Sequence, residues 1–193
     1  MARVTKTVPE RRQEIIDTAR ELFAKNGFEK TQVSDIVEKM GVAQGLVYHY
    51  FKSKKEILYG VIDEIAKERQ ESIEKAFGEA EGTALQRLDI FLHLKLYTNG
   101  FEKLIPGVRS DAAIVDYCSK KVTENAMPLL LKLIEQGNED GSWICAFPED
   151  AACFLLRGVS GFFEISEATV VQPEKKEVLA SIIARVLNSS PIE

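Results

Sequence analysis

Residues 31–51, TQVSDIVEKMGVAQGLVYHYF, contain the pattern that decides the fold of this chain. Apolar residues recur at helical spacing on either side of Gly41, which predicts one short helix over about 32–39 and another over about 43–49. Thr31 is the expected N-cap of the first helix. A glycine turn between two short amphipathic helices is typical of a helix-turn-helix motif. The apolar residues that would pack these helices together are Ile36, Val37, Val42 and Val47.

The second of these helices would present small and polar residues to solvent. Its exposed residues are predicted to be Ala43, Gln44, Gly45, Tyr48 and His49. In a helix-turn-helix motif, the first turns of the second helix face base edges in the major groove of DNA. Gln44 can form two hydrogen bonds with adenine, and Ala43 can contact a thymine methyl group. Tyr48 and His49 suit contacts with phosphates, as does Lys54 in the first turn of the next helix.

The net charge of the whole chain hides a difference between its two parts. The 193 residues include 25 Lys and Arg against 30 Asp and Glu, which gives a formal net charge of −5. Residues 1–55 contain 11 basic and 7 acidic residues, a balance of +4, so residues 56–193 contain 14 basic and 23 acidic ones, a balance of −9. A basic N-terminal part on an acidic body indicates that contact with DNA is confined to residues 1–55.

The rest of the sequence also has a helical pattern, which predicts an all-α protein of about nine helices. The first helix would run over 9–25, with Thr7 and Glu10 forming a capping box at its start. Ser53 would cap a long helix that ends near residue 77. Later helices are expected over 83–99, 109–136, 148–167 and 174–188, with a short element at 101–105.

The expected helix over 148–167 indicates a second subunit. Apolar residues cover nearly its whole circumference, and such a helix is buried on more than one side. Together with the apolar stripe of the helix over 174–188, it would form a four-helix interface with the same helices of a partner. The expected interface residues are Phe154, Leu155, Gly158, Phe162, Ile182, Ile183 and Val186. A central helix in a monomeric core is the alternative.

The stretch from Arg12 to Leu58 resembles the N-terminal domain of the tetracycline-repressor (TetR) family. The pieces that carry the resemblance are Ala19, Leu22-Phe23, Gly27-Phe28, Thr31, Asp35-Ile36, Gly41-Val42 and Val47-Tyr48-His49-Tyr50-Phe51, followed by Ser53-Lys54. They span roughly a quarter of the chain. Departures at Val37, Ala43 and Gln44-Gly45-Leu46 lie on or near the expected reading face, so they bear on which DNA sequence is read.

The resemblance implies a homodimer in which residues 1–53 bind DNA and residues 54–193 bind a small molecule and dimerise. It implies a repressor that binds a palindromic operator and is released by that small molecule. The family's DNA contacts map onto Thr31, Gln32, Ser34, Ala43, Gln44, Gly45, Tyr48, His49 and Lys54. An activator is the alternative, and neither the effector nor the operator can be named from the sequence.

Aromatic and soft side chains in the middle of the chain are candidates for the effector pocket, since ligand pockets are mostly apolar. They are Phe91, Leu92, Leu96, Tyr97, Phe101, Tyr117, Cys118, Met127, Trp143 and Phe162. Ordinary core packing is the alternative for each of them. Asp116 and Glu124 would suit a cationic effector, whereas Lys95, Arg109 and Arg157 would suit an anionic one, so the charge of the effector stays open.

Other classes of function find little support in the sequence. It lacks the nucleophile-elbow, P-loop, zinc-protease and dinucleotide-binding motifs, so neither catalysis nor a cofactor is expected. Cys118, Cys145 and Cys153 lack the close spacing of a metal site, and so few cysteines suit a reducing, cytoplasmic setting. The family resemblance implies that this is a bacterial cytoplasm, in which the protein would associate with the nucleoid. No segment is predicted to cross a membrane. A cysteine-based redox-sensing regulator and a helical interaction protein without DNA binding are the alternatives.

Overall fold

The computed structural model describes residues 6–79, 81–93, 101, 104–165 and 173–188. These residues form eight α-helices and one 3₁₀ turn, and none of them lies in a β-strand. The helices are α1 (Val8–Asn26), α2 (Val33–Met40), α3 (Gln44–Tyr50), α4 (Lys54–Glu79), α5 (Ala84–His93), α6 (Ala112–Asp140), α7 (Pro148–Ile165) and α8 (Pro173–Leu187), and the 3₁₀ turn is Val108–Ser110. The all-α prediction is confirmed, although part of the short element expected at 101–105 lies outside the described residues.

The helices divide between two compact units, and α4 and α6 each contribute to both. The first unit comprises Met1–Ala66 and Thr98–Ser119, and the second comprises Lys67–Tyr97 and Lys120–Glu193. The helix-turn-helix segment therefore shares a unit with the first half of α4 and with the first residues of α6.

The core of the first unit is built from the apolar faces of its helices. Its buried side chains include Ile15, Ile16, Ala19, Phe23, Ile36, Val47, Phe51, Leu58, Val61 and Ile62. Helices α1 and α4 approach closely at Gly60, because a Cβ atom there would lie 3.1 Å from Cδ1 of Ile16. Short helices such as α2 and α3 are unstable alone, so this shared core is what stabilises them.

Local hydrogen bonds form the start of α1 and the glycine turn that ends α2. At the start of α1, the Thr7 amide donates to Oε2 of Glu10 at 2.7 Å and the Glu10 amide donates to Oγ1 of Thr7 at 3.4 Å, which confirms the predicted capping box. Gly41 ends α2 with a φ of 64°, in the left-handed region that favours glycine. Its amide donates to the carbonyls of Val37 and Glu38, so the predicted turn between α2 and α3 is confirmed.

The predicted N-cap of α2 is wrong by one residue. The N-cap is Gln32, whose amide donates to Oδ2 of Asp35 at 2.8 Å. The Thr31 hydroxyl instead donates backwards to the carbonyl of Gly27 at 2.8 Å. Threonine hydroxyls bond readily to a carbonyl four residues earlier, and here that bond closes the turn between α1 and α2.

In the second unit, the turn after α6 folds back onto the helix that precedes it. The Trp143 indole donates to the carbonyl of Ile134 at 2.9 Å, and its ring occupies the space beside Gly137. The side chain of Asn138 both donates to the Cys145 carbonyl at 3.0 Å and accepts from the Cys145 amide at 2.7 Å. The rest of the core consists mainly of Leu88, Leu130, Leu133, Leu155, Leu156, Leu179 and Ile183.

Two classes of feature are absent from the part of the chain that the structure describes. No helix there combines the length and the apolar character that a membrane span needs. No three side chains of His, Cys, Asp or Glu there lie close enough together to hold a metal ion.

We expect Gly137→Ala to destabilise the protein, because a Cβ atom at this position would overlap the Trp143 ring. Overpacking of this kind lowers the free energy of unfolding by about 1–3 kcal/mol. The matched control is Gly78→Ala in α4, where nothing lies within 4 Å of the added Cβ. That change should raise the free energy of unfolding by about 0.5–1 kcal/mol. Urea unfolding followed by circular dichroism tests both, and an unchanged midpoint for Gly137→Ala would contradict the packing described.

Candidate nucleic-acid interface

Helix α3 presents the predicted reading residues to solvent and buries the opposite face. Val47 is fully buried, whereas Gln44, His49 and Tyr48 are exposed, the last by 41%. Ala43 is the N-cap of α3 and is also exposed, and no atom lies within 4 Å of where a Cβ of Gly45 would be. The exposed face of α3 therefore carries the amide side chain of Gln44 and the aromatic side chains of Tyr48 and His49. It has no large side chain at Ala43 or Gly45.

The start of α2 contributes a second exposed group of predicted contacts. Gln32 and Ser34 are exposed at the N-terminal end of this helix. Amides at a helix N-terminus carry a partial positive charge and favour a phosphate. Both residues are therefore placed as phosphate contacts would require.

Thr31 does not join this exposed group. Its side chain is fully buried, and besides the bond to Gly27 its hydroxyl lies 3.3 Å from the carbonyl of Leu22. This side chain belongs to the inside of the turn between α1 and α2, so the expected contact between its hydroxyl and DNA is not supported. Buried polar groups need a hydrogen-bond partner, and the two carbonyls provide one.

Lys54 also has a different role from the one that its position suggested. Its ammonium donates to the carbonyls of Phe28 and Thr31, both at 2.9 Å, and to that of Glu29 at 3.3 Å. It also lies 4.3 Å from the centre of the Phe28 ring. An ammonium has three N–H groups, so these carbonyls use all of them and the expected phosphate contact is not supported. Lys54 instead joins the first turn of α4 to the turn between α1 and α2.

The same turn is held from its other side by the segment that precedes α6. The Phe28 amide donates to the carbonyl of Pro106 at 2.9 Å. The Ser110 hydroxyl lies 2.8 Å from Oε1 of Glu29, to which it donates. These contacts join residues that are about 80 positions apart in sequence, and no local sequence pattern indicates them.

Lys55, next to Lys54, binds the residue that caps α6. Its ammonium lies 2.5 Å from Oδ2 of Asp111, whose Oδ1 accepts from the amides of Ala113 and Ile114. The hydrogen bond from Lys55 holds the pKa of the Asp111 carboxyl below its ordinary value. Two adjacent lysines at the start of α4 therefore bind two different elements of the first unit.

The candidate effector residues fall into several groups. Phe101 and Cys118 in the first unit are buried, and Tyr117 stacks on Tyr59 at 4.1 Å and donates to Asp63 at 2.8 Å. In the second unit Trp143 is buried and Met127 is half-buried. The side chains of Phe91, Leu92 and Phe162 and the whole of Leu96 and Tyr97 lie outside the described residues.

The cysteines give little support to a thiol-based sensor. Cys118 and Cys145 are buried, and Cys153 is exposed. Burial raises the pKa of the Cys118 thiol to about 12, so it stays protonated and unreactive near neutral pH.

The cavity beside Cys118 measures about 10 Å³, which holds about one water molecule and no organic effector.

The predicted interface residues divide between the surface and the core of the second unit. Phe154 and Ile182 are 64% and 46% exposed, Gly158 is exposed, and Val186 is half-buried. Leu155 and Ile183 are buried within their own chain, which does not support their assignment to the interface, and the side chain of Phe162 lies outside the described residues. Other large apolar side chains exposed in this unit are Leu85, Ile144, Phe147 and Val178.

Comparison with known proteins identifies the N-terminal part of the chain. Residues 15–61 match the model of the bacterial regulatory proteins of the tetR family, and this range includes α2, α3 and the start of α4. Residues 15–61 therefore form a domain of the tetR-family type. The resemblance of residues 12–58 is thereby confirmed.

Two relatives illustrate how far the similarity in sequence extends. The fatty acid metabolism regulator protein of Bacillus subtilis is 38% identical over 79 residues, which is 41% of this chain and 40% of that protein. The transcriptional repressor KstR2 of Rhodococcus jostii is 42% identical over 59 residues, 28% of this chain and 29% of that protein. The chain thus matches less than half the length of these relatives.

Solved structures resemble the chain over nearly its whole length. The fatty acid degradation regulator FadR from Bacillus halodurans covers 93% of this chain and 97% of its own, with a TM-score of 0.61 and 20% identity. RolR in complex with resorcinol covers 93% of this chain and 88% of its own, with a TM-score of 0.69 and 16% identity. At such low identities these similarities establish the fold of the chain alone.

Replacing Lys54 by methionine should destabilise the first unit, because the carbonyls of Glu29 and Thr31 would lose their ammonium donor and that of Phe28 would keep only the Thr31 amide. We expect the free energy of unfolding to fall by about 1–3 kcal/mol. Lys52→Met is the matched control, since Lys52 is an exposed lysine two residues away and should change stability by less than about 0.5 kcal/mol. Urea unfolding of the full chain compares them, and equal stability of the two variants would overturn the assignment.

Proposed function

We propose that this protein is a ligand-responsive transcription regulator that binds a palindromic DNA operator as a homodimer. The observation that carries the proposal is the exposed face of α3, which offers Gln44, Tyr48 and His49 to solvent on a tetR-family domain. In this proposal residues 1–53 bind DNA, and residues 54–193 bind the effector and dimerise. The protein acts as a repressor in the bacterial cytoplasm, at the nucleoid, and has no catalytic role.

Base recognition is assigned to the first turn of α3. Gln44 is exposed there and can donate to N7 and accept from N6 of adenine, while the Ala43 methyl suits a thymine methyl group. Tyr48 and His49 contact phosphates from the same face, and Gln32 and Ser34 do so from the start of α2. Phosphate contacts set the orientation of the helix, and the base contacts set the sequence that it reads.

Dimerisation is assigned to the exposed apolar surface of α7 and α8. Phe154 on α7 and Ile182 on α8 each expose about half of their side chain or more, and exposed large apolar groups of this kind mark surfaces that bind a partner. A second copy of the chain would cover both. Two copies related by a two-fold axis would place two recognition helices in successive major grooves, which suits a palindromic operator.

The effector is proposed to be a small, largely apolar molecule. One structural relative, FadR from Bacillus subtilis, was solved in complex with stearoyl-CoA, and another, RolR, was solved in complex with resorcinol. Both of these molecules contain an apolar part, a stearoyl chain in one and an aromatic ring in the other. An effector that changes the separation of the two recognition helices would lower the affinity for DNA without touching a base contact.

Selection from a random duplex library tests the DNA-binding proposal and supplies the operator. The wild-type dimer should enrich a palindrome, and its affinity should fall steeply with salt concentration. Failure to enrich any sequence would overturn the proposal.

We expect Gln44→Ala to lose its preference for one base at one position in each half-site, which lowers the discrimination against the other bases by about 1–3 kcal/mol. The matched control is Tyr48→Phe, which should weaken all duplexes alike, and a uniform loss for Gln44→Ala would contradict its role in reading bases.

A charged side chain introduced on the exposed apolar surface of α7 and α8 tests the proposed dimer interface. We expect Phe154→Glu to convert the dimer to a monomer in sedimentation experiments while the helical content stays unchanged, because this side chain is exposed within one chain. Leu85→Glu is the matched control, since Leu85 is also an exposed apolar residue, 53% accessible, but lies on α5. If Phe154→Glu stays dimeric at micromolar concentration, the proposed surface is wrong.

A further inference from the structure

Arg12 on α1 is held at the end of α3 by an aromatic ring. Its guanidinium carbon lies 4.9 Å from the centre of the ring of Phe51, the C-cap residue of α3. A guanidinium at this distance from a ring is attracted to it and stacks well on it. The side chain of Arg12 is exposed, whereas the Phe51 ring is only 1% exposed. The cation is thus fixed beside the proposed recognition helix while its hydrogen-bonding edge stays accessible.

The charge of Arg12 is not neutralised by the described residues. Its neighbour Arg11 forms an ion pair with Glu14 at 2.5 Å, and Lys6 binds the same carboxylate at 2.8 Å. Lys39 is paired with Glu21. No carboxylate of the described residues pairs with Arg12, and residues 1–5, MARVT, contain no acidic side chain. Its N–H donors are therefore available to an anion from outside the chain.

A second cation stands at the same end of α3. Lys52 directly follows Phe51 and is exposed, and among the described residues its ammonium has no carboxylate partner. Backbone phosphates border the major groove on both sides, so they come within reach of the ends of a helix that lies in it. An arginine fork fits two oxygens of one phosphate, which a point charge such as an ammonium does less specifically.

We propose that Arg12 is a further DNA contact, which binds a backbone phosphate at the C-terminal end of α3 and so fixes the orientation of that helix. This inference rests on the proposed function of DNA binding. The Phe51 ring positions the guanidinium, so the contact is pre-ordered before DNA arrives and less side-chain entropy is lost on binding. Arg12 thereby joins α1 to the reading face, which otherwise consists of α2 and α3.

The test compares Arg12→Met with Arg11→Met in the full-length protein. Both substitutions remove one positive charge from adjacent positions, and methionine at residue 12 still covers the Phe51 ring. The probes are the enriched operator and a random duplex of equal length. For Arg12→Met we expect about tenfold weaker binding to both duplexes. The slope of the logarithm of the binding constant against the logarithm of the salt concentration should become shallower by about 0.9 for each lost phosphate contact. Because a dimer loses two such contacts, the expected change is roughly 2 per dimer.

Arg11→Met should keep a slope close to that of the wild type, because the Arg11 guanidinium is held by Glu14 and not by a phosphate. Equal slopes and equal affinities for the two variants would overturn the inference, since only long-range charge would then be at work. If Arg12→Met unfolds, Arg12→Gln supplies a second neutral variant with the same expected slope. If the wild-type protein itself binds no duplex, it is the proposed function that fails.

Discussion

The position of the helix-turn-helix segment depends on the contact between the Lys54 ammonium and the turn that follows α1. The Phe28 carbonyl accepts from the Thr31 amide at 3.3 Å, and one ammonium with three N–H groups binds this carbonyl together with those of Glu29 and Thr31. Because α2 begins directly after this turn, fixing the turn fixes the start of α2. The glycine turn at Gly41 then fixes α3 relative to α2. A side chain of α4 thus helps to fix the proposed reading face, although it does not belong to that face.

The turn between α1 and α2 has a second set of contacts of a different kind. The segment before α6 reaches it through the Pro106 carbonyl and the Ser110 hydroxyl, and the ion pair of Lys55 with Asp111 ties α4 to the cap of α6. Each neutral hydrogen bond contributes about 0.5–1.5 kcal/mol, and an exposed ion pair contributes less because solvent screens it. These contacts and that of Lys54 therefore hold the turn between α1 and α2 from two sides.

Helical periodicity was sufficient to predict the all-α fold, the capping box of α1 and the glycine turn, because each depends on residues within about four positions of one another. The role of Lys54 was not predictable in this way, because its acceptors lie 23–26 residues earlier in the chain. The Thr31 hydroxyl bonds only four residues back, to Gly27, but a threonine just before a helix suits an N-cap equally well, so the local pattern did not decide its role. The interface residues on α7 show a different limit. Apolar side chains surround this helix, so periodicity did not distinguish Leu155, which faces the core, from its exposed neighbour Phe154.

The partners of each cation show how much of the positive charge of residues 1–55 is free to attract DNA. A count of +4 treats all basic residues alike, yet Lys39 and Lys55 are each paired with a carboxylate, and Lys6 and Arg11 share that of Glu14. Counterion release on binding DNA depends on cations that contact phosphates, so cations held by carboxylates add little to it. Arg12 and Lys52 have no carboxylate partner among the described residues, and both lie at one end of α3. Part of the positive charge that is free to attract DNA therefore lies beside the proposed reading helix.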